Sequence, residues 1–397
     1  MRLCGALAMA GLPLQAFSQF NGKAAATAQY ESNSNVFDLN SGFGSPALTQ
    51  GRRSDTYYAY GAQFDSQYDW SRQQFYASAS ASRYNYQHLT DLDHTGYIFD
   101  GGLRWKLGGT LYGRFDVTRN RNMVPFYNLS GNLAGVSALT LSILTEQRET
   151  AEFGMHLTSL WNLEGSAYTS KTDQPILGAP NLQLKQNGAT GLLNYLGFGG
   201  LTSGLSATYL KGDYEGSTTQ LNPSFTQTTV GFLAKYKRTR TTFDGQLGYS
   251  HRTSVAAFDN TSGFTGLVDF TDQLTSRTSI TLKADRQINN YVLNAGSEID
   301  SDLGGSLLWQ ATYKSAFTVS YTFSYRDFPG QGNNPVGSRR VDIQEYVTFG
   351  INYQPRQWLL IKPYYNAQTR RSTLVGGHFS STIWGVNLAV QTPQKRK

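Results

Sequence analysis

The sequence predicts an all-β chain, closed into an antiparallel transmembrane barrel of about eighteen strands. Three observations carry this expectation. Apolar and polar residues alternate with a period of two along most of the chain. The alternating segments run to roughly ten residues or more, the length of a tilted membrane strand and longer than the usual ~5–6 of a globular one. The connections between them are alternately short and long.

Composition narrows the field first. The chain has 397 residues, of which 15% are charged and 39% hydrophobic. Soluble domains carry roughly 25% charged residues. Helical membrane proteins need a larger apolar share, and no stretch of about 18 uninterrupted apolar residues occurs. The aromatic share of 13%, with 25 Tyr and 22 Phe, argues against disorder.

The alternation is explicit in several segments. Tyr97, Phe99, Gly101, Leu103 and Trp105 interleave with Asp100, Gly102, Arg104 and Lys106. Leu111, Gly113, Phe115 and Val117 interleave with Tyr112, Arg114, Asp116 and Thr118. Val230, Phe232, Ala234 and Tyr236 stand against Thr229, Lys235 and Lys237, and Phe243, Gly245, Leu247 and Tyr249 against Asp244, Gln246 and Ser250. Ile280, Leu282 and Ala284 stand against Lys283 and Asp285, and Phe317, Val319, Tyr321 and Phe323 against Thr318, Ser320, Thr322 and Ser324. Successive strand side chains point to opposite faces, so each segment has one apolar and one wet face.

Taken in order, the segments centre near residues 28, 63, 79, 101, 114, 154, 166, 192, 208, 232, 247, 268, 281, 308, 321, 348, 363 and 385. Short connections are expected at Asp69–Arg72, Leu107–Thr110, Lys237–Thr241, Lys314–Ala316 and Gln354–Gln357. Long ones are expected at Val36–Arg53, Asn120–Glu146, Lys171–Lys185, Gly212–Ser224, Arg252–Ser262 and Phe328–Arg340. Tight periplasmic turns and longer external loops are the outer-membrane barrel pattern. Aromatic residues near strand ends, among them Tyr68, Trp70, Trp105, Tyr236, Tyr313, Tyr325, Tyr353 and Trp358, suit its interfacial girdles. A sandwich would not need strands this long, and a β-helix would show a fixed repeat, which is absent.

Residues 1–18 read as a cleaved signal peptide: Arg2, a mostly apolar run from Leu3 to Phe17, and a small-residue site at Ala16-Phe17-Ser18. Residues 19–397 are then the barrel. The only cysteine, Cys4, lies in the leader, so the mature chain would have no thiol chemistry. The polar run Gln394–Lys397 reads as a periplasmic extension after the last strand.

Catalytic and cofactor motifs are absent. The five histidines, His88, His94, His156, His251 and His378, do not pair at metal-ligand spacing. There is no Gly-x-Ser-x-Gly, no Ser-x-x-Lys and no phosphate loop. The expectation is no catalysis, no cofactor and no metal. Asp91-Leu92-Asp93-His94 reads as a solvated loop turn. The net charge of +7 comes without a continuous basic stripe, which argues against a nucleic-acid partner.

With the apolar face toward lipid, the lumen is lined by Arg104, Arg114, Lys235, Lys283 and Lys362 and by Asp65, Asp100, Asp116, Glu164, Asp244 and Asp285. Ser, Thr, Gln, Asn and Tyr fill the rest. A near-balanced, hydroxyl- and amide-rich wall suits carbohydrate better than a single small ion. The basic pairs Arg52-Arg53, Arg339-Arg340 and Arg370-Arg371 fall near the outer strand ends. They are contacts to lipopolysaccharide phosphates or an anionic permeant, or else solvated rim charges.

Several strand and turn pieces add a resemblance. Arg277-Thr278-Ser279-Ile280, Asn290 to Glu298, Trp309-Gln310-Ala311-Thr312 and Tyr325-Arg326-Asp327-Phe328 resemble the EpsL-type exopolysaccharide biosynthesis and export barrels. So do Gln354-Pro355 with Trp358 and Pro363-Tyr364, and Tyr30 to Phe37 near the N-terminus. The resemblance is loose over the whole length and best over residues about 276–372. It implies an outer-membrane β-barrel porin type acting as conduit or accessory in polysaccharide secretion, with a polysaccharide chain and export-machinery proteins as partners. The alternatives are a general diffusion porin and a structural barrel plugged by its own loops. Asn120–Glu146, with the apolar patch Ala138–Leu144, is the plug candidate.

Overall fold

The computed structural model describes residues 20–39, 51–126, 141–174, 182–215, 224–254, 260–291, 296–329, 339–373 and 377–392. Residues 1–18, expected as a signal peptide, the polar tail and most of the plug candidate fall outside them. Eighteen strands form one antiparallel sheet. They are β1 (Phe20–Asn33), β2 (Asp55–Trp70), β3 (Gln73–Tyr86), β4 (His94–Leu107), β5 (Leu111–Met123), β6 (Ile143–His156), β7 (Trp161–Gln174), β8 (Leu182–Leu196) and β9 (Leu201–Glu215). Then follow β10 (Phe225–Lys237), β11 (Thr241–Ser254), β12 (Thr261–Asp272), β13 (Thr278–Tyr291), β14 (Gly296–Trp309), β15 (Ser315–Phe328), β16 (Arg340–Arg356), β17 (Leu359–Ser372) and β18 (Phe379–Gln391). Every strand pairs with its sequence neighbours, and β1 also pairs with β18, so the sheet has no edge. Closure satisfies the backbone polar groups that an open sheet would present to lipid.

Each of the eighteen expected segment centres falls inside its own strand. The ends differ. At the long-loop end, strands run further than expected: β5 continues to Met123 and β6 starts at Ile143, inside the expected loop Asn120–Glu146. Both faces of the β5 end are polar, as at Arg119, Asn120, Arg121 and Asn122, so the period of two fades although the hydrogen-bond ladder to β6 continues. The turn expected at Lys314–Ala316 lies instead between Trp309 and Ser315. It is closed by the Thr312 N–H donating to the Ser315 carbonyl at 3.2 Å.

Tight turns impose their own chemistry. Gly108, in the β4–β5 turn, has φ of 61°, a left-handed conformation that glycine adopts without strain. The β16–β17 ladder slips by one residue between Tyr353 and Arg356, where Pro355 offers no N–H, and it passes over Pro363 for the same reason.

The outward face is the apolar one. Phe115, Leu205, Phe232, Leu247 and Leu303 are each more than half exposed. So continuous an apolar surface marks contact with a membrane. Tyr60 and Trp70 share this face of β2 and are both prominently exposed. Ten residues along a strand tilted by about 40° span roughly 25 Å, the height of the apolar band of a transmembrane barrel. Among the described residues no helix is long and apolar enough to cross a membrane.

Glycine and tyrosine enrichment has a structural use on the inward face. Tyr112 of β5 lies across Gly154 of β6, its directly paired residue, so closely that a Cβ there would meet the ring at 2.3 Å. Tyr168 covers Gly188 of β8 in the same way. Each ring shields a strand backbone from lumen water where no side chain could.

Candidate permeation path

Alternation puts the expected lumen residues on the inward face, where their partners are now visible. Arg114 joins Asp116 at 2.6 Å and Glu152 at 2.7 Å. Glu164 accepts from the Tyr112 hydroxyl at 2.7 Å and from Asn194 at 3.2 Å. Lys235 meets Asp244 at 3.2 Å, and Lys283 meets Asp269 at 3.1 Å. Asp65 accepts from Ser78 at 2.7 Å, Arg104 donates to Gln74 at 2.7 Å, and Asp285 accepts from Gln287. Lys362 is on the same face, among Thr27, Gln29, Gln63 and Asn387. Hydroxyl ladders complete the wall: Thr190 with Thr208 at 3.0 Å, and Thr229 with Ser250 at 2.6 Å. Pairing across adjacent strands is direct in register, as in Arg114 opposite Glu152 and Lys235 opposite Asp244.

One signal escaped the reading of the sequence. Oppositely charged residues two apart share a strand face and can pair along it. Arg114 with Asp116, Lys211 with Asp213 and Arg340 with Asp342 all do so.

The six basic rim candidates separate. Arg52 is exposed and Arg53 half-buried between β1 and β2. Arg339 pairs with Asp327. Arg371 points outward, 75% exposed, with Glu345 at 3.8 Å. Arg340 and Arg370 are not solvated rim charges. Both turn inward and are buried on Asp342, at 2.7 and 2.6 Å, with Ser372 donating to the same carboxylate. Two guanidinium groups removed from water require such a shared acceptor.

Two features shape the lumen along its length. At the short-turn end a cavity of about 970 Å³ is bounded by Arg72, Arg104, Lys106 and Arg114 on one side of the charge balance and Asp69, Glu152 and Glu164 on the other. At the long-loop end an apolar cluster folds inward. Val36, Phe37 and Leu39 pack with Leu89 and Leu92 of the β3–β4 loop, with Phe126, and with the inward-facing Tyr86. Polar contacts hold it. Asp38 accepts from the inward-facing Gln368 at 3.0 Å, and Asn35 donates to the Ser380 carbonyl at 3.0 Å. The buried Asp55 accepts the backbone N–H groups of His88 at 3.0 Å and Leu89 at 2.8 Å, which fixes the β3–β4 loop. Asp91-Leu92-Asp93-His94 belongs to this device: Leu92 is buried, and Asp93 accepts the Tyr86 N–H at 2.7 Å. Of the plug candidate, the flanks Phe126 and Leu141 are described, and both join the cluster. Among the described residues no group of His, Cys, Asp and Glu is arranged to hold a metal ion.

The class that fold and lumen define is a membrane-spanning β-barrel of the outer-membrane, porin-like type, with an apolar exterior and a polar interior. The sequence matches no family model and no curated protein. Solved structures do align. OccK2 (OpdF) of Pseudomonas aeruginosa aligns at a TM-score of 0.52 and 11% identity, over 94% of this chain and 99% of that one. OccAB3 of Acinetobacter baumannii aligns at 0.50 and 9%, and the outer membrane protein opdK of Pseudomonas aeruginosa at 0.50 and 10%, each with the same coverage. OccK2 has also been solved in complex with glucuronate. At such identities the likeness is one of fold. The resemblance to EpsL-type barrels gains no support from these comparisons beyond the porin-like architecture.

Proposed function

We propose that this protein is an outer-membrane channel for small polar solutes, working by passage and not by turnover. The observation that carries the reading is the closed barrel with its inner wall of paired charges, amides and hydroxyls, leading to the cavity between Arg104, Arg114, Glu152 and Glu164. Paired charges attract polar solutes without presenting one deep electrostatic trap, so a solute can bind weakly and leave. Complexation of glucuronate by OccK2 makes a small sugar acid a reasonable first probe. Arg52, Arg53, Arg339 and Arg371, near the external strand ends, would contact lipopolysaccharide phosphates. Residues 1–18 would be removed on export.

Swelling of proteoliposomes tests the reading. Glucose and glucuronate should enter faster than in protein-free vesicles, while a large dextran should not. No entry of either small solute would overturn it.

The motif resemblance around residues 276–372 favours a second reading, a role in polysaccharide secretion. Deleting the gene should then lower extracellular polysaccharide while its cytoplasmic precursors persist. Unchanged polysaccharide with impaired small-solute uptake leaves the channel reading alone.

A further inference from the structure

Seventeen of the eighteen strand-to-strand seams hold nine or more paired residues, whereas β12 and β13 share only seven, from Asp272–Ile280 to Gly266–Arg286. Above that point the two strands part. Thr261–Thr265 stays laddered to β11 as far as Thr261 opposite Arg252, and Gln287–Asn290 stays laddered to β14. No ladder joins the two segments to each other.

Side chains bridge the parting instead. Arg286 donates from Nε to the Phe264 carbonyl at 3.2 Å and from Nη1 to Ser301 at 2.7 Å. Higher up, Arg252 donates to Asn290, and the Thr261 and Ser297 hydroxyls meet at 3.0 Å. A window is thus bounded below by the Gly266–Arg286 pair and above by the Thr261–Ser297 contact.

Behind the window lies a cavity of about 270 Å³. Gln227, Thr229, Gln246, Ser250, Thr265 and Gln287 face it from the lumen side together with the Asp285 carboxylate, and the seam residues Arg286 and Ile288 border it. The Gln227 Oε1 atom is buried there without a hydrogen-bond partner. The outer face is apolar at the window's lower edge and just below it, where Phe264 is 69% exposed, Leu247 63% and Leu303 59%, with the exposed Arg286 standing at the edge itself. The Phe264 and Tyr249 rings pack together at 5.6 Å beside the opening.

We propose that the upper β12–β13 seam is a lateral opening that admits an amphiphile, its polar head in the amide-lined cleft and its alkyl chain passing between the strands into the surrounding lipid. The inference rests on the barrel's place in a membrane and goes beyond passage along the lumen. Unladdered backbone N–H and C=O groups need hydrogen-bond partners where they border lipid, as they do at the lower edge of the window beside Phe264. A hydroxyl-rich head supplies them, and a wholly apolar guest cannot. The apolar flank in turn has nothing to offer a wholly polar solute. Side-chain bridges can open singly, whereas a ladder opens only as a cooperative unit.

A dodecyl maltoside carrying a diazirine in its alkyl chain tests this on the full-length barrel in liposomes. After irradiation, labelling should concentrate at residues 261–265 and 287–291. Thr265→Cys with Gln287→Cys, opposite one another if the ladder continued, should form a disulfide that abolishes this labelling, and reductant should restore it. Ile288→Trp, which fills the cleft without needing a cross-link, should reduce labelling at least several-fold. Glucose entry should be unchanged in Ile288→Trp, which alters no side chain of the lumen wall, and this separates failure of the proposal from failure of the channel reading. Labelling spread evenly around the apolar belt, or unaffected by both the disulfide and Ile288→Trp, would overturn the opening.

Discussion

Phe37 and Phe126 meet edge to face inside the outer end of the barrel, with ring centroids 4.9 Å apart and planes inclined at 61°. One follows β1 and the other follows β5, so two separate loops are joined across the lumen mouth. Their exposures of 0% and 2% make this a small core built at the long-loop end of the lumen. Truncating a buried Phe to Ala costs about 3–5 kcal/mol in a packed core. Here the loss falls on the loop cluster and not on the strand ladder. Phe37→Ala with Phe126→Ala should therefore leave heat-modifiable gel migration intact while glucose enters liposomes several-fold faster. Unchanged flux would show that the cluster does not restrict passage.

Asp342 holds a buried ion cluster at the same end. Its carboxylate is shared by Arg340 and Arg370, and all three are 2% exposed or less. Removing one partner of a buried ion pair costs roughly 3–5 kcal/mol. Asp342→Ala should lower the urea midpoint of the barrel in micelles accordingly. Glu345→Ala, which faces outward toward the exposed Arg371, should change stability by less than about 1 kcal/mol. Equal effects would mean that the Asp342 cluster is solvated.

The register makes a paired forecast on β11. Leu247 faces out and is 63% exposed, whereas its neighbour Gln246 faces the lumen and donates to Ser206. Leu247→Arg should destabilise by about 2–4 kcal/mol if it lies near the bilayer midplane. Gln246→Arg should cost much less, because the lumen is wet. Unfolding titrations of both variants in lipid vesicles give the comparison, and equal costs would refute the inside–outside assignment.

Charge placement at the inner cavity should set ion preference. Arg104 and Lys106 line it beside Arg72 and Arg114, opposite Asp69, Glu152 and Glu164. Reversing both, Arg104→Glu with Lys106→Glu, should shift the zero-current potential in a salt gradient toward cation selectivity. A potential that stays put would place the permeation path elsewhere.

The strands were legible because a period of two is written into each of them, as in Leu111 to Thr118, and because turns such as Leu107–Thr110 punctuate it. Their outer ends were not, since at Arg119–Asn122 neither face needs to be apolar once the strand clears the lipid. The inward cluster was illegible for another reason. Val36, Leu89 and Phe126 belong to three loops, and no local pattern shows that distant loop residues will share a core. The burial of Arg340 and Arg370 escaped notice because a basic pair reads as two surface charges, although the Arg340-Val341-Asp342 spacing puts a counter-ion on the same face. The parting of β12 from β13 leaves no mark either, since each strand keeps its alternation and its other neighbour.

The central claim is that a water-filled path runs through the barrel and is restricted at its outer end by the Phe37–Phe126 contact. Single-channel recording in planar bilayers measures both halves at once. The account expects discrete current steps from the purified protein, and larger steps from the Phe37→Ala, Phe126→Ala double variant under the same salt and voltage. Absence of steps from both proteins, with the barrel shown to be folded by its gel migration, would contradict it.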